Sequence, residues 1–207
     1  MTAGTAPAPR GRRVAVVLAV LLVATTAFLW LRPGGPAADG PEAGFARDMS
    51  AHHAQAVRMS FIVRDRSQDE RLRVLAYDII TTQSAQIGMM TAWLDEWRAP
   101  KADPSGPMRW MGGGHAGHGA SPAGGMPGMA TPAQLAQLER ASGRDAEVLF
   151  LRLMIAHHRG GVGMARAVLD RTDHPRVRRL ARTMVNAQNS EIALMNDMLR
   201  RRGAPAV

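Results

Sequence analysis

The sequence predicts an all-α protein, a four-helix bundle made of two duplicated helical hairpins and preceded by one transmembrane helix. Three observations carry this. FARDMSAHHAQAVRM, from Phe45 to Met59, returns as FLRLMIAHHRGGVGM, from Phe150 to Met164, at an offset of 105 residues. The match continues without insertion, and 19 of the 50 positions from Phe45 to Leu94 are identical to their partners. Self-similarity on that scale marks a duplicated structural unit. Within each unit Met, Ala, Val, Leu and Ile recur at helical spacing, as in Met49, Ala56, Met59 and Val63 and then Leu72, Leu75, Ile79, Ile87, Met90 and Leu94. Ahead of the first unit, Val14 to Leu31 is an 18-residue run without a charge.

That run, as a helix rising about 1.5 Å per residue, nearly crosses a bilayer core of about 30 Å. Arg10, Arg12 and Arg13 precede it and only Arg32 follows closely. The asymmetry places residues 1–13 in the cytoplasm, makes 14–31 an uncleaved signal anchor with Trp30 at the interface, and puts the main domain outside. If the segment is cleaved, the protein is secreted. A Pro/Gly/Ala linker is expected over 32–44.

The first hairpin is expected over 45–98, with a break at Arg66–Asp69, a capping box from Ser67 to Glu70, and an end before Pro100. Residues 99–130 read as a Met/His/Gly-rich crossover loop that supplies little core. Thr131-Pro132 caps a short helix over 131–142. The second hairpin follows over 144–202, with Asp173 as N-cap and Pro175 in the first turn of its second helix. Neither hairpin buries its stripe alone, so the two should close about a pseudo-twofold axis.

Composition narrows the function. There is no Cys, which excludes disulfides, thiol catalysis and zinc knuckles, and fits an oxidising compartment. The chain has 14 Met but only 4 Phe and 1 Tyr. The net charge of +9 comes without the aromatic-interleaved basic patch that stacks bases, so no nucleic acid is expected.

The chemistry sits in the repeat. Each unit carries His-His and then Met on its first helix: His52, His53 and Met59, and His157, His158 and Met164. Residues seven apart share a helix face, so His52 should point with Met59 and His157 with Met164, one His of each pair facing inward. The second helices add Met90 in one unit and Glu191 and Met195 in the other. Imidazole with thioether suits Cu(I), with Cu(II) accessible through nitrogen. In the crossover loop Met108 and Met111, His115 and His118, and Met126 and Met129 share one spacing, as expected of a chain that wraps a soft ion. Gly160, Gly161 and Gly163, just after His158, point to a close backbone approach or a bend.

At these residues the chain resembles the bacterial family known as domain of unknown function 305, through Asp48-Met49-x-x-His52-His53 with Met59, Met154-x-x-His157-His158 with Met164, and Gln188-x-x-Glu191-x-x-x-Met195. The resemblance implies a ferritin-like bundle, often secreted, with copper-binding and copper-resistance members. The expected function is extracytoplasmic copper binding for tolerance, sequestration or handover to a copper-handling partner, without catalysis. The alternatives are a metal-free partner-binding bundle and a di-iron oxidase. The latter lacks the Glu-x-x-His pairs its chemistry needs. Gln86 stands where the second unit has Glu191, so the two sites should differ, with the second binding more tightly.

Overall fold

The computed structural model describes the backbone of residues 10–31, 35–111 and 125–207; of residues 10, 12, 13 and 27–31 it describes no side chain. It comprises α1 (Arg10–Leu31), α2 (Pro41–Arg66), α3 (Glu70–Glu96), a 3-10 turn at Arg109–Met111, α4 (Pro132–Arg140), α5 (Gly143–Leu169) and α6 (Pro175–Arg201). There is no strand among the described residues. Two units separate, Met1–Gly35 and Pro36–Val207.

In the first unit α1 is an unbroken helix of 22 residues, and its described side chains from Val14 to Thr26 are exposed. Among the described residues no helix is long and apolar enough to cross a membrane. The described side chains of the expected anchor, 14–26, cover about 20 Å at 1.5 Å per residue. Trp30 and Arg32 lie outside them.

The second unit is the expected pair of hairpins: α2 packs on α3, α5 on α6, and α2 crosses to α5. The expected linker is shorter than 32–44, because α2 begins at Pro41 and buries Ala43 and Gly44. Proline at the first helical position gives up an N–H that had no partner there, so it starts this helix rather than ending a linker.

The breaks correct two expected caps. Ser67 closes α2, and the N-cap of α3 is Asp69, which accepts from Leu72 N at 2.9 Å. The Ser67 hydroxyl instead donates to Glu147 on α5 at 2.6 Å. In the second unit His174 is the N-cap without a side-chain bond, and Asp173 is exposed. Thr172, the counterpart of Ser67, donates to Glu42 at the start of α2. Each break is thus tied to the opposite hairpin. The short helix keeps its expected cap: Thr131 and Gln134 form a full capping box.

The core is divided. One apolar cluster holds Met59, Val63, Leu72, Ile79, Phe150, Met154, Met195 and Leu199; a second holds Phe45, Met49, Met90, Leu94, Met164, Val168, Val177 and Met184. Every bundle helix contributes to both, and every one turns polar between its two contributions.

The duplicated helix ends differ in one informative way. Past α6 the chain turns at Gly203 with φ 64°, while past α3 the equivalent residue is Arg98, with φ 54° and an exposed side chain. A left-handed conformation costs a residue with a Cβ about 1–2 kcal/mol, and glycine avoids that. Arg98→Gly is therefore expected to stabilise the fold by about 1 kcal/mol, net of glycine's added chain entropy. A urea titration showing no rise in midpoint would refute this.

Candidate metal centre

Between the two apolar clusters lies a layer built from His52 and His53 on α2, Gln83 and Gln86 on α3, His157 and His158 on α5, and Gln188 and Glu191 on α6. All four histidines are buried, at 1% exposure or less. The expectation that only one of each pair faces inward is corrected. Adjacent helix positions lie about 100° apart, and α2 is packed on two sides, so His53 meets α3 while His52 meets α5. The same holds for His158 and His157 against α6 and α2.

Each imidazole is held by one nitrogen. His53 Nε2 lies 2.7 Å from Gln86 Oε1, and His158 Nε2 lies 2.5 Å from Glu191 Oε2. His157 Nε2 lies 2.9 Å from His52 O, and His52 Nε2 lies 3.0 Å from Pro127 O. The rings of His52 and His157 lie face to face with centroids 3.7 Å apart. Carbonyl and carboxylate oxygens only accept, so each Nε2 carries the proton and, in a neutral ring, each Nδ1 carries a bare lone pair. The Nδ1 atoms of His52, His53 and His158 are buried with no hydrogen-bond partner, as are Gln83 Oε1 and Gln188 Oε1. Unpaired buried acceptors are uncommon and call for an explanation.

Burial dominates the electrostatics. It lowers His52 to about 4 and His53 to about 3, and drives His157 well below the ordinary histidine range; the neighbouring imidazoles push the same way. These rings are neutral at physiological pH, the form in which imidazole binds metal.

The register set by the His53–Gln86 and His158–Glu191 bonds places the thioethers. On antiparallel helices Met90 lies level with Met49, and Met195 level with Met154. Met49 and Met154 stand four residues before His53 and His158, on the same helix face. Met59 and Met90 fall in opposite apolar clusters, as do Met164 and Met195. The members of each pair lie about 15 Å apart along the bundle. The expected sets thus draw their methionines from both sides of the layer, and Met49 and Met154 were not among the expected ligands. The signal was present, because Met-x-x-His-His recurs in both units. All six methionines are fully buried.

The crossover is less separable than expected. Met108 N and Trp110 Nε1 both donate to Asp48 Oδ2, at 2.7 and 2.8 Å. Met108, Trp110 and Met126 pack against the second apolar cluster, so these methionines also serve packing. Met111 and Met129 are half-buried, and His115 and His118 lie outside the described residues. The strap 126–130 runs across the histidine layer. A Cβ on Gly160 would stand 2.0 Å from Pro127 O, and one on Gly161 2.5 Å from Gln188 Oε1, whereas Gly163 has open space. Close approach therefore accounts for two of the three glycines, and α5 runs through them without interruption.

Among the described residues no group of three or more His, Asp or Glu gathers as a metal centre, which leaves the di-iron reading without its carboxylates.

A family model described as "Domain of unknown function (DUF305)" matches residues 42–199. A DUF305 protein from Streptomyces coelicolor, described as a candidate secreted protein, is 53% identical over 83% of this chain and 99% of its own, with a TM-score of 0.75. A DUF305 fragment from Deinococcus radiodurans is 37% identical over 78% and 96%, with a TM-score of 0.63. CopM in a Cu(II)-bound form is 28% identical over 76% and 94%, with a TM-score of 0.57. No curated protein sequence matches.

The neutral histidines make a pH prediction for the metal-free protein. Unfolded histidine takes up a proton near 6.5, while His52 and His53 in the fold resist until about 4 and about 3. Between those values the unfolded state binds more protons, so stability is full above about 6.5 and falls with pH below it, by up to about 1.4 kcal/mol per unit for each such histidine. Urea midpoints that stay level from pH 7 to pH 5 would contradict the burial of neutral imidazoles.

Proposed function

Because the chain belongs to the DUF305 family, named for having no known function, its role must be read from its own residues, and we propose that it is an extracytoplasmic copper-binding protein that sequesters or hands over Cu(I). The observation that carries this is the set of buried Nδ1 lone pairs, each on a ring whose Nε2 is tied to an oxygen. Metal-binding histidines commonly donate their second nitrogen to a carboxylate or carbonyl in this way, which fixes the tautomer and aims the free nitrogen. The Nδ1 of His53 with Met49 and Met90 makes one site, and that of His158 with Met154 and Met195 makes the other. One nitrogen and two thioethers suit Cu(I) far better than Zn(II). Met59 and Met164 are packing residues in this reading. CopM's Cu(II)-bound form supports copper as the cargo, and the zero Cys count fits an oxidising compartment. The N-terminal apolar helix serves as the anchor that holds the domain outside the cytoplasm. The protein binds and does not catalyse.

Glu191 separates the two sites. Its carboxylate holds the His158 ring as a charged acceptor, whereas Gln86 brings no charge to His53. Competition titration with a Cu(I) chelator is expected to resolve two classes of site. Glu191→Ala should weaken the tighter class roughly 10–100-fold and leave the other in place.

The methionines give a second prediction. Met154→Leu with Met195→Leu conserves volume, so helicity should hold. Cu(I) affinity at the second site should drop while Zn(II) affinity, carried by imidazole, stays. Equal loss of both metals would point to damaged packing, and no loss of Cu(I) would make these methionines core filler.

A further inference from the structure

We propose that the strap from Met126 to Ala130 is the door through which metal reaches the histidine layer, with Met126 and Met129 as the thioethers that take it up first. The identity of the cargo rests on the copper-binding reading above; the route rests on the packing.

The histidine layer is walled by apolar clusters above and below, and on one side by α3 and α6. On the side where α2 crosses α5, the strap is the cover over His52 and His157 among the described residues, and His52 Nε2 donates to the carbonyl of Pro127. Gly128, with φ 74°, fits against α5 so closely that a Cβ would stand 2.3 Å from Ala156 O.

Hydrogen bonds hold this segment, together with the packing of Ala130 and Met126 against the two apolar clusters. The Gln55 amide grips Ala130 from both sides, donating to its carbonyl at 2.9 Å and accepting from its N–H at 2.6 Å. The third tie is the His52 bond at 3.0 Å. Residues 126–129 are all half-exposed, so lifting them gives up less buried apolar surface than moving a bundle helix.

Thioethers stand at each stage of the path. Met126 and Met129 flank Pro127 and Gly128 at the rim. Met126 also packs against the cluster that contains Met49 and Met90, and Met49 lies one helical turn before the His52-His53 pair. A soft cation can pass along such a series by exchanging one sulfur for the next, never losing all its ligands at once.

The test compares wild type with Gln55→Leu, which removes two of the three ties, and with Met126→Leu plus Met129→Leu, all as full chains. Ag(I), a soft ion without redox chemistry, is the probe for loading rate. Carbethoxylation by diethyl pyrocarbonate in metal-free protein, read on the peptides carrying His52 and His157, reports the opening itself. Gln55→Leu is expected to raise both rates about tenfold for the hydrogen bonds lost and to leave Ag(I) stoichiometry unchanged. The double methionine variant should load several-fold more slowly with unaltered carbethoxylation. Wild-type rates for Gln55→Leu would overturn the door, and wild-type loading for the methionine variant would overturn its thioether step. Should no protein take up Ag(I), the copper reading fails, and the carbethoxylation rates still decide the door. If circular dichroism shows that Gln55→Leu does not fold, Gln55→Glu, which keeps the length and loses the donor, is judged by the same measurements.

Discussion

A polar layer through the middle of a helical bundle is costly unless its groups find partners, and the rest of this structure follows from how far they do so here. Four imidazoles enter the core, and oxygens hold one nitrogen of each: an amide on α3, a carboxylate on α6, and two backbone carbonyls. One carbonyl belongs to His52 on α2, and the other comes from outside the bundle. The crossover therefore completes a core interaction that four helices cannot supply among themselves. This is also why it lies close on the glycines of α5.

The layer demands accurate register, since two helices sliding by one residue would shift the rings by about 1.5 Å. The hydroxyl ties from Ser67 to Glu147 and from Thr172 to Glu42 serve that end. Each anchors the bend of one hairpin to the first helix of the other, at opposite ends of the α2–α5 contact. His52 and His157 then meet near the centre, with the apolar clusters filling the space on either side.

Much of this was legible in the sequence. The duplication, the helix pairs, the short capped helix and the histidine pairs follow from repeat and period. The caps at Ser67 and Asp173 were placed one or two residues early, since the helices start after Asp69 and His174. Ser67 and Thr172 accept a backbone N–H within the break and donate to Glu147 and Glu42, far away in sequence. Helical-wheel reasoning turned only one histidine of each pair inward because it assumes one buried face, and a helix packed on two sides has a wider one. The methionines nearest the layer were harder to read, for the opposite reason. Spacing within a helix was visible, but the level at which one helix meets the next is set by tertiary bonds such as that from His158 to Glu191. The strap was invisible, since nothing in a Gly/Pro-rich segment tells which carbonyl will face a histidine.

Positions 55 and 160 are equivalent in the two copies, yet they hold opposite residues. Gln55 reaches out to grip the strap, and Gly160 retreats to give its backbone room. A dimer of identical hairpins would carry the same residue at both places, so it could have two grips that collide or two hollows with nothing to hold. Joining the copies in one chain removes that restriction, and a single segment can cross a symmetric centre asymmetrically. Fusion here bought a division of labour that symmetry forbids.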